Sequence, residues 1–131
     1  MSKAIKFNNI HHIKKGVQLF EVIGAGVERG KVFDANNIRN LHVKSSPVNK
    51  PFEDRPNEEV LWVFASGSPS DKERGSLNSL RDRGITRDGK VYNLNRWFWS
   101  KADAMEFIVE LNTGKFSDPV DQENYDGRNW W

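Results

Sequence analysis

Three histidines, His11, His12 and His42, are the residues of this 131-residue chain best suited to acid–base or metal chemistry. Imidazole titrates near neutral pH and ligates zinc through either ring nitrogen. His11 and His12 are adjacent, however, and neighbours on an extended strand point to opposite faces. Two such rings do not converge on one ion, and Lys14 and Lys15 close by repel a cation. A hydrolytic triad needs a hydroxyl and a carboxylate folded against one imidazole, which spacing alone does not reveal. The chain has no cysteine, so disulfides, thiolate zinc sites and a thiol nucleophile are excluded. A histidine-based hydrolase or nuclease therefore ranks third among the functional readings, and neither a metal nor a cofactor is expected.

Two other patterns have chemical overtones. The stretch GAGVERG holds Gly24, Gly26 and Gly30, which is not the spacing of a phosphate-cradling loop, and no Gly-Lys-Ser/Thr follows. A tight turn or a bulge explains it better. Acidic clusters at Glu53-Asp54, Glu58-Glu59 and Asp118, Asp121, Glu123 match neither a calcium loop nor a paired-acid site, and read as solvated loops.

Charge is the stronger signal. The formal net charge is only +2. Residues 1–50 nevertheless hold nine Lys/Arg against three Asp/Glu, and residues 72–101 hold eight against three. The stretches 51–71 and 102–131 are acidic in compensation. Within the second basic block, Arg81, Arg83, Arg87, Lys90 and Arg96 are interleaved with Tyr92, Trp97 and Trp99. Outward-pointing guanidinium groups in such a block suit an acidic protein surface or phosphates, and exposed rings stack on bases. Arg81, Arg83, Arg87, Lys90 and Arg96 are therefore the expected partner contacts. Trp130 and Trp131 join them as terminal anchors, with the alternative that the tail folds back and buries both rings.

The elements that must position these groups follow from periodicity. Residues 16–35 alternate around Val17, Leu19, Glu21 and Ile23, with glycine punctuation, and predict a hairpin or two short strands. NIRNLHVKSS reads as a further strand, 47–58 as a proline-broken loop, and EVLWVFAS (59–66) as a central strand. After a connector at 67–75, Ser76 is placed as the cap of a short helix carrying Leu77 and Leu80 and ending at Gly84. Asp88-Gly89 predicts a two-residue hairpin. In the strand that follows, Trp97 and Trp99 share one face and Arg96 and Phe98 the other, so most of these aromatics are expected in the core. Ser100 caps a helix over 101–113 whose apolar stripe is Met105, Ile108 and Leu111, flanked by Ala104 and Phe107, with Gly114 as its stop. The tail 115–131 reads as acidic and turn-rich.

Together these predict one α+β domain over 1–131, a small, mostly antiparallel sheet with one or two helices packed on one face. Apolar runs are too short to span a bilayer, and the N-terminus lacks the apolar region of a signal peptide, so a cytoplasmic protein is expected.

The stretch SLNSLRDRGITRDGKVYNLNRWFWSKADAMEFI (76–108) resembles small accessory proteins of T4-like bacteriophages, in which a Leu-Arg-Asp helix leads through a loop into an aromatic strand and a capped helix. The resemblance implies a non-enzymatic protein acting on a host macromolecule, and carries over no site residue. The leading expectation is a binding protein whose partner is a host protein such as RNA polymerase. Direct nucleic-acid binding through Arg81, Arg83, Arg87, Lys90, Arg96 and the neighbouring rings stands second.

Overall fold

In the computed structural model, which describes residues 3–127, strand β1 (Gln18–Ile23) sits between two partners. It pairs antiparallel with β2 (Ile38–Val43), Leu19 opposite Leu41, and with β6 (Asn95–Phe98), Phe20 opposite Phe98. The chain beyond β2 continues through Lys44, whose N–H donates to the Phe64 carbonyl at 2.7 Å, into the two-residue strand β3 (Val48–Asn49). Both β2 and β3 pair with one edge of β4 (Leu61–Ser66), and β5 (Ser76–Ser79) pairs with the other. Every one of these pairings is antiparallel, giving the α+β fold expected from the sequence. No helix among the described residues is long and apolar enough to cross a membrane.

Alternation in the strands builds two apolar clusters, one on each side of the sheet. On one side, Val22 and Phe98 meet Ala104, Phe107, Ile108 and Leu111 of helix α1 (Lys101–Thr113). On the other, Leu19, Leu41, Val43, Val63, Ala65 and Trp97 pack with Ile5, Ile13, Leu80 and Ile85. Phe98 and Trp97 are adjacent, so they enter opposite clusters. Both are sealed from solvent, and the RWFW motif is the spine of the core. A full burial of two such rings contributes several kcal/mol at roughly 25 cal/mol per Å² of apolar surface. Helix α1 begins where expected, with Ser100 Oγ accepting from the Asp103 N–H at 3.1 Å, and stops at Gly114.

Four local expectations are corrected. Ser76 opens strand β5 rather than a helix; the Leu77–Leu80 spacing reflects Leu77 lying opposite Phe64 while Leu80 drops into the core. Only a single 3₁₀ turn, Arg81–Arg83, remains of the predicted helix, and it ends at Gly84. Residues 16–35 supply one strand, because the chain after Ile23 turns through the 3₁₀ segment Val27–Arg29 instead of pairing back. Gly24 is needed there: a Cβ would come within 2.5 Å of the Leu94 carbonyl oxygen. Asp88-Gly89 makes a turn without flanking strands, closed by Thr86 Oγ1 donating to the Lys90 carbonyl and by the Lys90 N–H donating to Asp88.

The tail is not merely turn-rich. Helix α2 (Pro119–Gly127) folds back on the sheet, with Asp118 Oδ1 accepting from the Val120 N–H at 2.9 Å and Pro119 as first helical residue. A ring chain of Phe98, Phe107, Phe116 and Tyr125, with centroids 5.4, 5.8 and 5.5 Å apart, carries the α1 cluster across to α2.

Candidate partner-binding surface

The cations of the basic block take four different places. Arg96 is fully buried, its Nε and Nη2 donating to Asp121 Oδ1 on α2 at 3.2 and 2.5 Å and its Nη1 donating to the Asn95 carbonyl at 2.6 Å. Its outward orientation is therefore corrected: it shares a face with Phe98, and that face is covered by the helices. Arg83 is also turned inward. It donates from Nε to Glu21 Oε2 at 2.9 Å, and the same oxygen accepts from Trp97 Nε1 at 2.8 Å. Glu21, only 4 % exposed, is the buried anion that makes both groups tolerable there.

Arg81 and Arg87 stay at the surface, each held between a ring and a carboxylate. Arg81 Nη1 donates to Glu58 Oε1 at 2.6 Å while its guanidinium lies 4.6 Å from the Tyr92 ring centre. The Tyr92 side chain first, then Glu58, push the Arg81 pKa above its ordinary value, so it is a fixed cation. Arg87 donates from Nε and Nη2 to the two oxygens of Glu59, both at 3.2 Å, and lies 4.4 Å from the Phe7 ring centre. Lys90 is exposed two residues before Tyr92, which is itself 54 % exposed.

Between the Arg81–Tyr92 wall and the Arg87–Phe7 wall runs a groove of about 290 Å³, floored by Val60, Leu61 and Ile85. The loop 84–91 separates it from a second hollow of about 410 Å³ near Lys6 and Val120. A third, of about 670 Å³, opens between Tyr92 and α2. The turn at Asp88-Gly89 thus stands between the first two of these concavities, and the Lys90 N–H holds the Asp88 carboxyl below its ordinary pKa.

The sequence reading singled out Arg81, Arg87 and Lys90 with Tyr92 beside them, but not Glu58, Glu59 or Phe7, which the fold sets against Arg81 and Arg87. The anions were visible as an acidic stretch of opposite sign; which cation each meets was not. Trp130 and Trp131 lie outside the described residues. His11 and His12 close the 3₁₀ turn Phe7–His12 with their rings 3.9 Å apart, and His42 sits on β2. Among the described residues no group of three His, Asp or Glu side chains is placed to hold a metal ion.

The family model described as phage g100-like protein matches residues 7–111. The chain belongs to that family. The matched stretch of this phage family runs through all six strands and most of α1, and includes both walls of the groove, whereas Asp121 and α2 lie beyond it. No curated protein and no solved structure matches the chain.

Proposed function

We propose that this phage protein is a non-enzymatic binding protein that engages a host protein through the groove between Arg81–Tyr92 and Arg87–Phe7, with the host RNA polymerase as the first candidate. The observation that carries the reading is the state of the two arginines. Each lies over an aromatic ring and is bonded to a carboxylate, beside an apolar floor. Arginine and tyrosine held in this way are the residue types that dominate protein interfaces, because little side-chain freedom is left to lose on docking.

The same pairing weighs against phosphate binding by this block. Arg81, Arg83, Arg87 and Arg96 each already face a carboxylate of this chain, so few counterions would be released on contact with a nucleic acid. A ring-lined groove whose two arginines face Glu58 and Glu59, with Asp88 also on its lining, fits an apolar protein side chain flanked by polar groups.

The test compares the wild-type protein with Tyr92→Ala and Arg87→Ala in capture from nuclease-treated host lysate, followed by direct titration of purified host RNA polymerase. The expected result is a stoichiometric protein retained after nuclease and at raised salt, with binding weakened about tenfold or more by either substitution. Unchanged capture by both variants, or loss of every partner after nuclease, removes the proposal.

A further inference from the structure

Helix α1 rests on β1, β2 and β6, and leaves the same side of the sheet open over β3, β4 and β5. Val63 and Ala65 of β4 point into the opposite cluster, so Trp62 and Phe64 point out on this open side. Their cross-strand partners extend the face: Val48 lies opposite Trp62 and is 57 % exposed, and Leu77 lies opposite Phe64 and is 42 % exposed. Phe52 stands edge-on to Trp62 with ring centres 6.0 Å apart. The Trp62 indole N–H is used by the Lys50 carbonyl at 2.9 Å, which fixes the ring at the surface.

The charge of this half-sheet is one-sided. Residues 40–52, 60–66 and 74–79, which contain β3, β4, β5 and their flanks, include Lys44, Lys50, Arg74 and His42 and no Asp or Glu. The Arg74 guanidinium lies 3.9 Å from the Phe64 ring centre. Lys44 follows β2 beside Phe64 and donates from Nζ to the Ser70 carbonyl at 2.7 Å. One flanking anion reaches this half-sheet, Glu73, which accepts from Ser66 Oγ at the end of β4, while Asp54 lies 3.8 Å from Arg55 and Glu59 holds Arg87.

We infer that this open face of β3–β4–β5 binds single-stranded nucleic acid. Trp62 and Phe64, two residues apart on one strand, stand about 7 Å from each other along it. That distance suits successive unstacked bases of an extended strand laid on an antiparallel sheet, and a single strand presents base faces that a duplex hides. Lys44, Lys50 and Arg74 supply the positive charge for the phosphates, three cations against the single carboxylate of Glu73 at the Ser66 end of β4. This face is separate from the groove of the proposed function, and the inference does not rest on that reading.

The experiment is a fluorescence-anisotropy titration of labelled 15-nucleotide dT and rU strands, and of a 15-base-pair duplex, at two salt concentrations. The expected result is binding of the single strands in preference to the duplex, with an affinity that falls with salt at a slope of about 0.7 per neutralised phosphate. Lys50→Glu with Arg74→Glu, both at the surface, should weaken binding at least tenfold at low salt. Trp62→Ala should weaken it about fivefold or more, and circular dichroism checks that each variant keeps its fold. Tyr92→Ala and Arg87→Ala in the groove should leave it unchanged. Absence of binding at low salt, preference for the duplex, indifference to the Lys50/Arg74 reversal, or dependence on the groove residues would each overturn the inference.

Discussion

Arg96 and Asp121 form an ion pair with neither side chain more than 1 % exposed, and it ties strand β6 to helix α2. Two nitrogens of the guanidinium reach the same oxygen, Asp121 Oδ1, while Oδ2 has no hydrogen-bond partner. The pair is a cost as well as a tether, since both charges give up water for it. What it specifies is the place of α2, which is also held by the ring contact of Tyr125 with Phe116, by Asn124 Nδ2 donating to the Val91 carbonyl at 3.3 Å and by Gln122 Nε2 donating to the Gly114 carbonyl at 3.0 Å.

Removing one partner should therefore hurt more than removing both. Asp121→Ala leaves a buried guanidinium uncompensated and is expected to lower stability by about 3–5 kcal/mol. Arg96→Met combined with Asp121→Leu should recover most of that loss. Urea unfolding of the two variants checks this; equal destabilisation by the single and the double change would contradict it.

Gly84 ends the Arg81–Arg83 turn at φ +72°, and a Cβ there would sit 2.8 Å from an Arg96 terminal nitrogen. Gly84→Ala combines backbone strain with pressure on a buried ion pair and should cost more than about 1 kcal/mol. Gly67, whose added Cβ would find its nearest neighbour at 3.9 Å, supplies the control. Thermal melts of both variants should separate clearly, with Gly67→Ala close to wild type.

Asp118 links pH to the same region. Burial raises its pKa, but the hydrogen bonds from Lys6 and from the Val120 N–H, with the charges of Lys6 and Arg96, outweigh it and leave the carboxyl below its ordinary value of 3.8. A depressed carboxylate contributes stability that is complete above the unfolded pKa and disappears as pH falls through the folded one. Asp118→Asn should accordingly be less stable than wild type near neutrality, and the gap should close as pH drops below 3.8. A gap that stays constant in denaturation curves from pH 7 to pH 2 would show that the charge is not the cause.

Ser100 caps α1 through one hydrogen bond to the Asp103 N–H. Ser100→Ala should lose about 1 kcal/mol in chemical unfolding, and Ser100→Asp should lose little, because its carboxylate can accept the same bond.

How far these features were legible depends on how local their causes are. Helix α1 was legible from cap, stripe and stop because all three lie within its own residues. Strand β4 was legible because a short, dense apolar run with β-branched and aromatic members needs burial wherever it lies. Strand β5 was not: SLNSLRDRG holds a serine cap signal, two leucines at helical spacing and a terminal glycine. Only pairing with β4 overrides that local preference. Helix α2 carried a readable start in Ser117-Asp118-Pro119, obscured by an acidic composition that fits a loop equally well.

The groove was half legible for a related reason. The residue types, a run of arginines among rings and an acidic stretch of matching size, are in the chain itself. Their pairings join positions 23, 28, 62 and 25 residues apart, for Arg81–Glu58, Arg87–Glu59, Arg83–Glu21 and Arg96–Asp121. Coulomb attraction does not select among such partners until the sheet register brings particular side chains together.

By itself, then, the sequence determined the α+β class, the apolar faces of α1 and β6, and the absence of thiol chemistry, all consequences of short-range periodicity and composition. Tertiary structure alone decided which cations are buried, which remain as the walls of a groove, and which half of the sheet the helices leave open. Those outcomes depend on contacts between residues distant in the chain, whose energies exist only once the strands are in register.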